Sequence, residues 1–173
     1  MLLPEGETKD FLGREFLTWL WFYGEQNNWH FSFSDGDSME YGMDELLVMQ
    51  GDDANCMQKL SGPVPIKAPE AQVALLEGKK VSTTRVVFVH GQQEWTFTIS
   101  GDNFNISSLK LISPTTSDIE ERFAELSDDL EQVTLLFDKV YTTFLQLRIS
   151  EEWHKDILPQ MKEWVAQKAE NAD

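Results

Sequence analysis

Large apolar side chains cover most of the circumference of the segment from Phe11 to Tyr23 when it is wound as a helix. Nine of its thirteen residues are large and apolar. The polar residues Asp10, Arg14 and Thr18 recur at i, i+4 spacing and form one narrow stripe. A helix that is apolar on most sides is typically a buried helix. We therefore predict a central core helix on which the rest of the chain packs; the alternative is an aromatic surface that receives a partner.

Apolar and polar residues alternate with period two through the middle of the chain, which is the pattern of half-buried strands. The alternation predicts strands over residues 29–34, 54–60, 81–89, 94–100 and 104–112, with a hairpin joining the third and fourth. Residues 39–50 are ambiguous between further strand and a short helix. Pro69 suits the first turn of a helix that ends near Leu76. The middle of the chain is thus predicted to be an antiparallel sheet of about five strands with one inserted helix.

In the last third of the chain, apolar residues from Ile119 to Leu147 are separated by alternating steps of four and three. This heptad spacing predicts one long helix, to about residue 149, packed at a shallow angle against others. Ser117 and Glu120 match the S-x-x-E capping box at its start.

A last helical stretch, 151–167, carries Trp153 and Trp164 on its apolar side. Pro159 is predicted to kink or split it, and the stretch is predicted to fold back on the long helix as an αα-hairpin. Trp153 and Trp164, together with Trp21 and Phe22 of the first helix, are candidate protein-interface residues. Alternatively, the last helix itself covers Trp21 and Phe22.

Together these elements predict an α+β fold. An antiparallel sheet of about five strands packs on the N-terminal aromatic helix, and a long heptad helix and a final helix follow. The predicted organisation is a flexible N-terminus over residues 1–8, an α+β domain over 9–112 and a helical region over 113–173, packed as one structural unit. The predicted core residues are Leu12, Phe16, Trp19, Leu20, Phe31, Phe33, Val86, Phe88, Trp95, Phe97, Phe123, Leu130, Phe137 and Phe144.

Charge narrows the classes of function. Among 173 residues, 30 are acidic and 14 are Lys or Arg, which gives a net charge of −16. A broad nucleic-acid-binding face usually needs a basic excess, because cations that neutralise phosphates supply most of the affinity. The first half of the long helix is the most acidic part, and it is either a solvated outer face or a docking surface for a basic partner. The single cysteine, the lack of a signal sequence and the lack of a long apolar run predict a cytoplasmic protein outside the membrane.

No catalytic motif stands out. The three histidines lie in three different predicted elements without ligand spacing, so neither a metal site nor a cofactor is predicted, and we do not expect an enzyme. Asp35-Gly36-Asp37 is interpreted as a turn. The cations of the middle region are more informative, because they either converge on a local basic patch or are scattered, solvated side chains. The candidates are Lys59, Lys79, Lys80, Arg85 and Lys110.

Three stretches, in this order and spacing, resemble the C-terminal half of the recombination-associated protein RdgC family over about residues 10–147. They are the helix FLGREFLTWLWF, the stretch APEAQVALLEGKKVSTTRVVF, and the strands EWTFTIS and SSLKL followed by DIEERFAEL.

The resemblance implies a non-catalytic DNA-binding protein linked to recombination and to the nucleoid. Proteins of that family form ring-shaped dimers that enclose duplex DNA without sequence preference and restrain the bacterial recombinase. On this reading Lys59, Lys79, Lys80, Arg85 and Lys110 occupy the DNA-binding positions. The alternative is an acidic module for protein interaction or homodimerisation, through the helical C-terminal region, that retains the fold without binding DNA.

Overall fold

One antiparallel sheet and the helices around it form an α+β fold, as the patterns predict. The computed structural model describes residues 8–51 and 56–170. The helices are α1 (Thr8–Gln26), α2 (Pro69–Leu76), α3 (Ile119–Ile149) and α4 (Leu158–Glu170). The strands are β1 (His30–Ser32), β2 (Ser38–Gln50), β3 (Met57–Gly62), β4 (Lys80–His90), β5 (Gln93–Ser100) and β6 (Ile106–Lys110). The strand order is β1-β2-β4-β5-β6, with β3 paired to the second half of β2.

The ambiguous segment 39–50 is one long strand, β2, interrupted by a bulge. Asp44 pairs with Arg85, whereas the next β2 residue in register, Leu47, pairs with Thr84. Glu45 lies in the bulge with a φ of 57°. Because the bulge breaks the alternation in its middle, the strand reads as two shorter pieces in the sequence.

Three predicted strands have bounds that differ from those expected. The first is reduced to β1 because Trp29 has a left-handed φ of 61°, so the extended chain begins only at the next residue. The strand predicted over 104–112 is reduced to β6, since Phe104 also has a positive φ, of 53°. The strand predicted over 54–60 begins at Met57 and runs to Gly62, and its predicted first two residues lie outside the described residues.

Helix α1 occupies the centre of the core, as predicted. The side chains of Phe16, Leu17 and Trp19 are inaccessible to solvent. Thr18 of the polar stripe faces the sheet: it is buried, donates its hydroxyl to the carbonyl of Arg14 and accepts the backbone N–H of Val81 at 3.0 Å. One small side chain therefore satisfies the backbone at the start of β4 while fixing the helix against it.

Helix α3 has the predicted bounds, but its first half does not join the core. Asp118, one residue after the predicted cap, is the N-cap, and its carboxylate accepts the N–H groups of Glu120 and Glu121. Phe123 and Leu130 were predicted to be buried and are instead 74% and 46% exposed.

The buried side of α3 coincides with the heptad seam only in the second half of the helix, at Val133, Val140 and Phe144. Its buried residues are Asp129, Val133, Leu136, Val140 and Phe144. At about 100° per residue this stripe is rotated away from the line through Ile119, Phe123 and Leu130. The heptad spacing therefore predicts the helix correctly, but its prediction that the first half is buried is wrong. Leu12 and Phe137, also predicted as core, are partly buried.

After α3 the chain turns back at Ser150 in the predicted hairpin-like manner. A π-helical turn, Trp153–Ile157, precedes α4 and lies immediately before Pro159. This wider turn is where the helix accommodates the proline. The π-helical turn packs on α3, but α4 itself packs on α2 and α1 rather than along the long helix, which corrects the predicted packing partner.

Candidate functional site

The two faces of the sheet differ in what covers them. Met43, Val86, Phe88 and Phe97 point into the core that α1 and the second half of α3 complete. The opposite residues of β4 and β5 are only half-buried. We call this the open face; it is the face that carries Arg85.

Three of the predicted cations lie on the open face. Lys59 pairs with Val48, which pairs in turn with Thr83, two residues before Arg85. Lys110 pairs with Thr96, and Arg85 with Thr98. With strands about 4.8 Å apart and a rise of about 3.4 Å per residue, Lys59, Arg85 and Lys110 form a diagonal with steps of about 12 Å.

Acidic residues accompany this diagonal. The Nε atom of Arg85 lies 2.8 Å from a carboxylate oxygen of Glu45, which the β2 bulge places over it. The Arg85 Nε–H is not aligned for a hydrogen bond, so the contact is an ion pair alone. Asp44 also lies on this face, beside Arg85. The open face is thus a mixed surface with a basic diagonal.

The structure does not bring Lys79 onto the diagonal. Its ammonium lies 2.8 Å from the carboxylate of Glu77 and its side chain is 16% exposed. Lys80 begins β4 and pairs with Gln50 at the end of the sheet. Of the five predicted DNA-binding residues, three share the open face and two lie at the sheet end.

The four aromatic interface candidates are buried inside the chain, which corrects their assignment to an outer surface. Trp21, Phe22, Trp153 and Trp164 are at most 4% exposed. The Trp164 ring packs edge-on against Trp21 and Phe22, with centroid distances of 5.4 and 5.6 Å. The alternative, that the last helix covers the first, is therefore confirmed for Trp164.

A single carboxylate fixes this cover. Glu25 accepts the indole N–H groups of Trp21 and Trp164 at 2.8 and 2.7 Å. It also accepts the ammonium of Lys168 at 2.5 Å. Buried indole N–H groups need a hydrogen-bond acceptor, and Glu25 provides one for both rings of this contact. Trp153 packs separately, against Phe144 of α3.

A polar cluster that the sequence did not indicate joins three distant segments. His90 Nε2, in the β4–β5 hairpin, lies 2.9 Å from Asp37, and Lys139 of α3 lies 2.8 Å from Asp35. The hydrogen bond from Lys139 lowers the pKa of Asp35, and the contact with His90 lowers the pKa of Asp37. The hydrogen bond between Lys139 and Asp35 also raises the pKa of Lys139. The Asp35-Gly36-Asp37 stretch is a turn, as interpreted, and its carboxylates attach the turn to α3 and the hairpin.

The first half of α3 is the second unusual surface. Ile119 and Phe123 are 82% and 74% exposed. Beyond them an apolar groove of about 340 Å³ lies between β6 and α3, lined in part by Ile106, Leu130 and Phe137. The heptad spacing was the sequence signal for this surface, although it was interpreted as a buried seam.

No protein-family model, curated protein or solved structure matches the chain. None of the helices in residues 8–51 and 56–170 has the length and hydropathy that crossing a membrane requires. Within the same residues, no group of three or more His, Cys, Asp or Glu side chains is arranged to hold a metal ion.

Proposed function

We propose that the protein is an RdgC-like, non-catalytic DNA-binding protein that contacts duplex DNA without sequence preference and acts in DNA recombination at the nucleoid. The observation that supports this is the diagonal of Lys59, Arg85 and Lys110 on the open face. Contacts from cations to phosphates position a protein on DNA and carry no sequence information. A row of cations on one face of a sheet suits that mode of binding.

The ion pair between Arg85 and Glu45 limits the affinity of this surface for DNA. A phosphate that approaches Arg85 competes with the Glu45 carboxylate, which lies 2.8 Å from the guanidinium. Three cations that neutralise three phosphates give a slope of about −3 in log affinity against log salt. The protein is thus proposed to be a weak, salt-sensitive DNA binder.

Fluorescence polarisation with labelled duplex DNA at about 50 and 200 mM salt tests the proposal. The triple variant Lys59→Gln, Arg85→Gln, Lys110→Gln loses binding, and Glu45→Gln strengthens it by releasing Arg85. Lys155→Gln is the matched control, because Lys155 is an exposed cation paired with Glu151 and lies outside the sheet. No binding at micromolar protein and about 50 mM salt contradicts the proposal.

The exposed apolar residues in the first half of α3 favour a second candidate function, a protein-interaction module without DNA binding. Ile119 and Phe123 have the heptad spacing of a helix that packs against another helix. The predicted homodimer through the helical C-terminal region is one form of this function. Light scattering measures it directly, and a monomeric mass removes the homodimer from consideration.

A further inference from the structure

The uncovered apolar stripe of α3 is long enough to receive a helix. From Ile119 through Phe123 and Leu130 to Phe137 it spans about 27 Å, or five turns. Its first members are exposed, and its last two line the groove beside β6. A continuous row of large apolar side chains at a surface marks an interaction site, and the spacing of three and four residues is that of helix-in-groove recognition.

Charge beside the stripe indicates which helix fits. At about 100° per residue, Glu120, Glu131 and Asp138 lie on one side of α3, adjacent to the stripe. All three side chains are exposed. Between Asp118 and Lys139 the only cation is Arg122, which falls on the opposite side of the stripe. The charged residues on this flank of the stripe are therefore all acidic.

A second copy of the chain matches this flank poorly. Two α3 helices packed antiparallel along the stripe bring the same acidic flank of each copy together, and like charges at such positions are destabilising. Each copy also carries a net charge of −16, which opposes self-association. Charge complementarity instead selects a partner with Lys and Arg next to its apolar residues.

We propose that the α3 stripe binds a basic amphipathic helix of another protein. Its apolar residues, spaced three and four apart, lie on Ile119, Phe123 and Leu130, and its basic residues face Glu120 and Glu131. The proposal rests on the second candidate function and specifies the chemistry of its partner. The DNA-binding proposal stands apart, because its cations lie on the open face of the sheet.

Two labelled peptides of about 20 residues, a length matched to the stripe, test the inference by fluorescence anisotropy. One has Leu at heptad positions a and d with Lys at e and g, and the other has Glu at e and g. We expect the Lys peptide to bind, and Phe123→Ser to weaken it about tenfold or more. Ile149→Ser is the matched control, since Ile149 is 84% exposed at the far end of the same helix. Glu131→Lys weakens the Lys peptide and strengthens the Glu peptide.

Three results overturn the inference. If Phe123→Ser leaves the binding of the Lys peptide unchanged, the peptide is attracted to the acidic protein in general and does not bind to the stripe. A homodimer in light scattering that Phe123→Ser dissociates assigns the stripe to a second copy, which preserves the second candidate function and removes the basic partner. A monomer that binds neither peptide removes both. Duplex DNA binding, measured on the same variants, reports independently on the first proposal.

Discussion

Replacing Gly13 by alanine tests the contact on which α1 depends. In an ordinary helix interior this substitution stabilises by about 1 kcal/mol. Here a Cβ atom built on Gly13 falls 1.8 Å from the carbonyl oxygen of Gly101, at the end of β5. The helix and the turn after β5 meet backbone to backbone, so no side chain can rotate away to make room. The substitution is therefore expected to lower the stability, whereas helix propensity alone would raise it.

The geometry sets a minimum for the cost. To reach 3.0 Å, the shortest distance that Cβ atoms tolerate, the helix and the turn must separate by 1.2 Å. The turn resists this movement, because the N–H of Gly101 donates to the carbonyl of Ser82 at 2.7 Å. Overpacking of this kind costs about 1–3 kcal/mol, and more where backbone must move. After subtracting the gain in helix propensity, we expect a net loss of about 2 kcal/mol or more.

Thermal and urea denaturation measure the difference. A loss of about 2 kcal/mol lowers the Tm of a chain of this size by about 4–8 °C. Gly42→Ala is the matched control, because a Cβ at Gly42 meets no atom within 4 Å and its φ is not positive. This control is expected to stabilise β2 by about 0.5–1 kcal/mol. If Gly13→Ala melts at or above the wild-type temperature, the close approach of α1 to the β5 turn is refuted.

Two further substitutions test contacts of α3. Asp129 is 5% exposed and accepts the indole N–H of Trp95 at 2.6 Å and a backbone N–H at 2.7 Å. Asp129→Asn replaces one of these acceptors by a donor, so we expect the free energy of unfolding, measured by urea denaturation, to fall by about 2 kcal/mol. The control is Asp128→Asn at the exposed neighbour, which leaves the stability unchanged. The pKa of Asp35 lies below its usual 3.8 because of Lys139, so their contact stabilises the fold above that pH and loses its effect as the pH falls through the lowered value. The Tm difference between wild type and Asp35→Asn should therefore be present at pH 7 and vanish in strong acid, and a difference independent of pH contradicts the assignment.

Patterns within single elements predicted most of the fold. The apolar circumference of α1, the hairpin of β4 and β5 and the bounds of α3 all follow from local periodicity, which tertiary packing reinforces in each case. The bulge at Glu45 was not predictable, because it arises from pairing with β4 rather than from the residues of β2.

The candidate sites depended more on tertiary contacts. Which face of α3 is buried is decided by the rotation of the helix against the sheet, so Phe123 and Leu130 had the right spacing and the wrong environment. The aromatic residues of α1 and α4 were singled out correctly as partners of a contact, but the contact is within the chain. Lys79 is separated from the basic diagonal because it lies before the first residue of β4, at the sheet end, where it pairs with Glu77.

The Glu25 carboxylate has a consequence for how α4 unfolds. A helix packed on the outside of a fold normally opens first and independently of the rest. Detaching α4 here would expose two buried indoles and leave Glu25 without its donors from Trp164 and Lys168. Opening of α4 is thus coupled to loss of the packing on α1, and we expect its amide hydrogens to exchange on nearly the same timescale as those of the central helix. The last helix is in this sense a member of the cooperative core rather than an appendage to it.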